Sequence, residues 1–140
     1  MAIKSRIIIT GASGFIGTNL LELFLLKKYQ VTNIDIGEPR NMKHKPYWKK
    51  IDICDYNALK NVIDEVNPDY IVHLAARTNL NDNNNQDYYT ANIQGVKNLI
   101  GIISDSKKIK RVIFTSSILV NKVGYNPKSL IDYNPVTNYG

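Results

Sequence analysis

Seven residues near the amino end, Gly11-Ala12-Ser13-Gly14-Phe15-Ile16-Gly17, have the types and spacing to hold an anion. They follow an apolar β-branched run, Ile7-Ile8-Ile9-Thr10, and lead into a helical stretch over 19–28. A strand that turns through glycines into a helix presents unpaired backbone N–H groups and the positive end of the helix dipole. The anion that suits this geometry is a dinucleotide pyrophosphate. Gly11 permits the tight turn, Gly14 the close approach of the phosphates, and Gly17 the packing of helix on strand. A second apolar run ends at Asp35, about 20 residues on, where a carboxylate accepts hydrogen bonds from the adenosine ribose. That charge repels a 2′-phosphate, so NAD is preferred over NADP, a preference that the nearby Arg40 and Lys43 weaken. An ordinary strand-to-helix turn and a solvated strand end are the competing readings of the same residues.

The elements that must position these groups alternate along the chain. After Asp35 come a polar loop over 37–46, a short strand over 47–52, and a helix over 55–66. Asp55 is placed as N-cap of that helix, and Leu59, Val62, Ile63 and Val66 share one face. Asn67-Pro68 stops it. The run 70–76 reads as a strand buried on both faces. A polar loop over 78–87 carries Asn83-Asn84-Asn85 as turn formers. A longer helix over 87–106 is expected to bury Tyr89, Ile93, Val96, Ile100 and Ile103, and a fifth strand covers 111–115. The tail 117–140 is loop-rich. Strands alternating with helices predict an α/β fold, a doubly wound parallel sheet of five strands in the order 3-2-1-4-5. The carboxyl edge of that sheet collects Gly11, Asp35, Asp52, His73-Leu74-Ala75-Ala76 and Thr115-Ser116-Ser117.

The 140 residues suffice for one domain. Eighteen Lys and Arg against 12 Asp and Glu give a net charge of +6, but the basic residues are scattered rather than interleaved with aromatics. That distribution argues against nucleic acid as a partner and suits an anionic cofactor. A single cysteine, Cys54, precludes an internal disulfide and reads as a small buried hydrophobe. No secretory signal or membrane-length apolar run is visible, so the expectation is a cytoplasmic chain with no membrane partner.

Taken together, these residues resemble the extended short-chain dehydrogenase/reductase family, the NAD-dependent sugar-nucleotide epimerases and dehydratases. Thr10-Gly11-Ala12-Ser13-Gly14-Phe15-Ile16-Gly17 matches the family's T-G-x-x-G-F-I-G, and Asp52-Ile53-Cys54-Asp55 resembles its D-[IL]-x-D. His73-Leu74-Ala75-Ala76 matches H-L-A-A, Asn92-Ile93-Gln94-Gly95 matches N-x-x-G, and Thr115-Ser116-Ser117 resembles the serine run that ends strand 5. The segment 132–140 is similar to the approach to the catalytic Y-G-x-S-K.

The resemblance implies a Rossmann-type NAD-binding domain over 1–140. Asp52 and Ile53 would sit at the adenine, and the backbone of Leu74, Ala75 and Ala76 along the cofactor. Asn92 would order the strand-4 turn, and Thr115 would line the site. Tyr139 would be the base, with Ser117 or Ser116 orienting the substrate oxygen. A free tyrosine, with a pKa of about 10, is a poor base at neutral pH. The family lowers it with a lysine four residues on, a position beyond Gly140. The expectation is therefore a sheet truncated after strand 5, with the C-terminal substrate domain absent and the chain alone inactive. A fragment of a longer enzyme and a natural truncation both fit. The full-length enzyme would take a nucleotide-sugar or other small-molecule substrate, and the apolar fifth strand as an edge predicts self-association into a homo-oligomer. After Ser117, Ile118-Leu119-Val120 keeps only the valine of the usual epimerase sequence, and the acid pair of the dehydratase branch is missing. A non-catalytic NAD(P)-binding module or sensor, and a carbonyl reductase of the same superfamily, stay open as alternatives. A flavodoxin-like or response-regulator-like domain is disfavoured by the three glycines after strand 1.

Overall fold

A computed structural model describes residues 4–80 and 86–140. Five strands, Arg6–Thr10 (β1), Gln30–Asp35 (β2), Trp48–Lys50 (β3), Tyr70–His73 (β4) and Arg111–Phe114 (β5), form one sheet in the order β3-β2-β1-β4-β5, with every pairing parallel. This is the topology that the alternation of elements predicts. Three α-helices, Phe15–Leu26 (α1), Tyr56–Val66 (α2) and Val96–Ser104 (α3), lie against it.

Alternation along β1 divides the core. Ile8 faces a cluster with Ile34, Leu59, Val62, Ile63, Ile71, Leu99 and Ile102, which is the face covered by α2 and α3. Ile7 and Ile9 face the other way, onto Leu21 of α1 with Val31 and Val72. A parallel sheet buried on both sides needs apolar side chains at successive positions, and β1 supplies four buried residues in a row. Both ends of α2 agree with the sequence. Asp55 accepts the N–H of Ala58 at 2.9 Å, and Asn67 closes the helix in the left-handed conformation ahead of Pro68.

Several elements differ from expectation. The loop over 37–46 contains a 3-10 turn, Met42–Tyr47, capped by Asn41. The single helix expected over 87–106 is three pieces: a 3-10 turn Gln86–Tyr89, a π-helical turn Ala91–Gly95, and α3. The wider π turn rotates the apolar stripe that follows it. Tyr89 is buried as expected, but Ile93 and Ile100 are exposed, and Asn98, Leu99 and Ile102 face the core instead. Cys54 is half-buried rather than a core residue. The asparagine run 83–85 lies outside the described residues. Strand β5 is the sheet edge, with Ile113 and Phe114 both partly solvent-facing.

Candidate functional site

The carboxyl edge of the sheet opens into a cavity of about 1210 Å³. Its walls carry Gly11, Ser13, Gly14, Phe15, Ile16, Gly17, Asp35, Asp52, Ile53, Leu74, Ala75, Ala76, Thr115, Ser116 and Tyr139, so most of the residues singled out from sequence meet in one crevice. Asn92 and Ser117 lie instead on a second, smaller cavity that shares Ser116 and Tyr139 with the first.

The glycine turn is built as its residue types require. Gly11 has φ +74°, and a Cβ there would stand 2.6 Å from the backbone nitrogen of Ala75. Only glycine lets the ends of β1 and β4 come so close. Gly14 is the N-cap of α1 and offers no side-chain cap. The first helical N–H with a backbone acceptor in the preceding turn is that of Thr18, bonded to Gly14 O at 2.9 Å. Among the described residues the amides of Phe15, Ile16 and Gly17 have no backbone acceptor, which leaves them available to an anion. Gly17 packs on the turn itself rather than on the strand, since its Cβ would fall 2.3 Å from Ala12 Cα.

Asp35 is locked to this turn. Its carboxylate accepts the N–H of Ser13 at 3.0 Å and that of Gly37 at 2.9 Å. The Ser13 hydroxyl donates to Gly37 O at 2.9 Å and accepts from buried Asn33 at 3.1 Å. The Ser13 amide is thus committed to the carboxylate, which leaves anion binding to the first turn of α1. Asp52 is exposed and accepts the amide of Cys54 at 2.8 Å. Desolvation, and then the Asp52 charge, hold the Cys54 thiol above its ordinary pKa, which keeps it protonated.

At the strand-4 end, Asn92 grips the backbone of Arg77 from both sides. Its Oδ1 accepts Arg77 N–H at 2.7 Å and its Nδ2 donates to Arg77 O at 2.9 Å. Asn92→Ala removes both bonds, with an expected cost of about 1–2 kcal/mol. Denaturant titration reads the loss, and faster amide hydrogen exchange at Arg77 locates it. Unchanged exchange there would refute the role. The Gly95 of the same motif lets this segment approach Ile53, whose Cδ1 would lie 2.3 Å from an added Cβ.

Arg77 and Tyr88 also line the large cavity, and sequence reasoning did not single them out. The Arg77 guanidinium lies over Tyr88 at 4.8 Å, Tyr88 meets Tyr89 at 5.2 Å, and Tyr89 meets Tyr139 at 5.8 Å. This run of rings holds Tyr139 where the two cavities join. The position of Arg77 directly after His73-Leu74-Ala75-Ala76, at a strand's carboxyl end, was the available signal. Ser117 caps the short 3-10 turn Ile118–Val120, its Oγ accepting Leu119 N–H at 3.1 Å. Among the described residues no His, Cys, Asp and Glu cluster could hold a metal, and no helix is long and apolar enough to cross a membrane.

With this geometry in hand, comparisons with known proteins are consistent in kind. The family model described as NAD dependent epimerase/dehydratase family matches residues 7–140. The chain is 34% identical over 101 residues to GDP-6-deoxy-D-talose 4-dehydrogenase of Aggregatibacter actinomycetemcomitans, covering 71% of this chain and 31% of that protein. It is 32% identical to UDP-glucose 4-epimerase of Vibrio cholerae, covering 96% of this chain and 42% of the other. The crystal structure of the Bordetella bronchiseptica enzyme WbmG in complex with NAD and UDP matches with a TM-score of 0.80 at 26% identity, over 99% of this chain and 47% of that one. The chain spans less than half the length of these relatives.

Proposed function

This chain belongs to the NAD-dependent epimerase/dehydratase family, and from that premise we propose that its large cavity binds NAD as the cofactor half of a nucleotide-sugar epimerase-type oxidoreductase. The amides at the start of α1 would hold its pyrophosphate, Asp35 its adenosine ribose, and Asp52 with Ile53 its adenine, while Leu74, Ala75, Ala76, Thr115 and Ser116 would line the nicotinamide end. Bound there, NAD supplies a hydride acceptor. In the full-length enzyme Tyr139, ionised to the phenolate, would take the proton of the substrate hydroxyl, and Ser117 or Ser116 would orient the oxygen that loses it.

The observation that carries this reading is Gly14. Its φ of −76° is open to any residue, and a Cβ there would meet only Gly11 O at 3.2 Å. The turn could seat a Cβ there by yielding a few tenths of an ångström, whereas an approaching phosphate needs that space itself. Calorimetric titration with NAD and with NADP tests the assignment. NAD is expected to bind more tightly, and Asp35→Ala to weaken NAD about tenfold by removing a charged acceptor from the ribose. Equal affinity of parent and variant would remove Asp35 from the site.

A further inference from the structure

The smaller cavity, about 180 Å³, lies beneath Ser116, Ser117 and Tyr139, and His73 forms part of its wall. His73 ends β4 and is only 4% exposed, with Phe114 packed edge-on against its ring. Its tautomer follows from Thr10. The Thr10 hydroxyl accepts the N–H of Ala75 at 3.2 Å and lies 2.7 Å from His73 Nδ1. The hydroxyl's own hydrogen has Nδ1 as its one hydrogen-bond acceptor among the described residues, so Thr10 donates and Nδ1 accepts. The imidazole hydrogen then sits on Nε2. That atom is buried and has no partner among the described residues.

A buried donor requires an acceptor. Burial keeps the ring neutral, its pKa held down to about 4. Among the described residues no charged side chain lines the cavity, so a neutral acceptor fits better than an anion. At roughly 30 Å³ per molecule, the space admits several waters. The Ser117 Oγ accepts from Leu119 and keeps its own hydrogen to donate.

We propose that His73 Nε2 donates to an ordered water in this cavity, and that this water bridges the imidazole to the hydroxyls of Ser117 and Tyr139. His73 is then a positioning residue for the reacting end of the site. The bridge to catalysis rests on the roles proposed above for Ser117 and Tyr139; the water itself does not.

The chain has two histidines, which makes the test direct. In protein labelled with ¹⁵N-histidine, proton–nitrogen correlation spectra report the tautomer of each ring, and His73→Gln assigns the signals. The expected result is an Nε2–H tautomer for His73, slow exchange of that hydrogen, and its cross-relaxation with a long-lived water. An Nδ1–H tautomer, or an Nε2–H with no water contact, overturns the proposal. Ser117→Ala and Tyr139→Phe should each weaken the water signal, and an unchanged signal in both overturns the bridge. Should His73→Gln fail to fold, the His44→Gln spectrum assigns His73 instead. A failed NAD titration would sink the cofactor reading and leave these spectra unaffected, so the two failures are distinguishable.

Discussion

Gly17→Ala is expected to destabilise the chain by about 3 kcal/mol, while Gly14→Ala leaves it within about 1 kcal/mol of the parent. At Gly17 the added methyl would fall 2.3 Å from Ala12 Cα and 2.5 Å from Gly11 O. Both are backbone atoms of the turn, and no side chain can swing aside to relieve them. Helix α1 would have to lift from the turn, taking with it Leu21, the helix's fully buried contribution to the cluster on that face. In a chain of this size the melting temperature would drop by about 10 °C. At Gly14 the nearest atom to the new methyl is Gly11 O, 3.2 Å away, and the backbone is already in a region open to alanine. The methyl there projects into the phosphate's path, so NAD affinity should fall at least tenfold while the melting curve scarcely moves. Thermal melts and NAD titrations of both variants separate the effects. If Gly14→Ala binds NAD like the parent, the pyrophosphate does not lie on this turn. If Gly17→Ala melts like the parent, the packing of α1 described here is wrong.

The contrast between the two glycines bears on what a sequence can convey. A strand, a glycine turn and a helix are local, so β1, the turn and α1 were readable from periodicity and residue type. Asp35 was legible because β2 is fixed in register beside β1, with Thr10 opposite Ile34. The sheet order followed from right-handed crossovers. The region after His73 was less legible because its structure depends on contacts between separated segments. Asn92 acts through the backbone of Arg77, fifteen positions earlier. The π turn at Ala91–Gly95 cannot be inferred from a period of 3.6, and it moved the buried stripe from Ile93 and Ile100 onto Asn98, Leu99 and Ile102. Gly95 was the local sign of close approach, but its neighbour Ile53 belongs to the strand-3 connection. His73 was readable as a core histidine. That it is half-partnered at a cavity beside the reacting end could not be seen without the fold.

Acidification should expose His73 as a stability determinant. Its pKa is held down to about 4 by burial, against about 6.5 in the unfolded chain. Between these values the unfolded state binds the proton and the folded state does not, so stability rises with pH across the window. It is fully present above about pH 6.5 and falls as the pH drops toward 4. A displacement of this size corresponds to a loss on the order of 3 kcal/mol at the lower end. In the imidazolium both ring nitrogens are donors, so Thr10 Oγ1 would have to turn from donor to acceptor at Nδ1, leaving its own hydrogen without that partner. Asp69 and Asp132 act in the same direction at lower pH. Asp69 is held below the usual carboxylate range by the Arg6 N–H and then Lys110, and Asp132 by the Lys128 N–H and then the Tyr125 hydroxyl. Urea denaturation at pH 7, 5.5 and 4.5 measures the sum, and the same series on His73→Phe isolates the imidazole. The variant should lose less stability between pH 7 and 4.5 than the parent does. Parallel curves for the two proteins would mean that His73 takes up its proton without leaving the folded state, and that the buried, neutral ring described here is not the form present in solution.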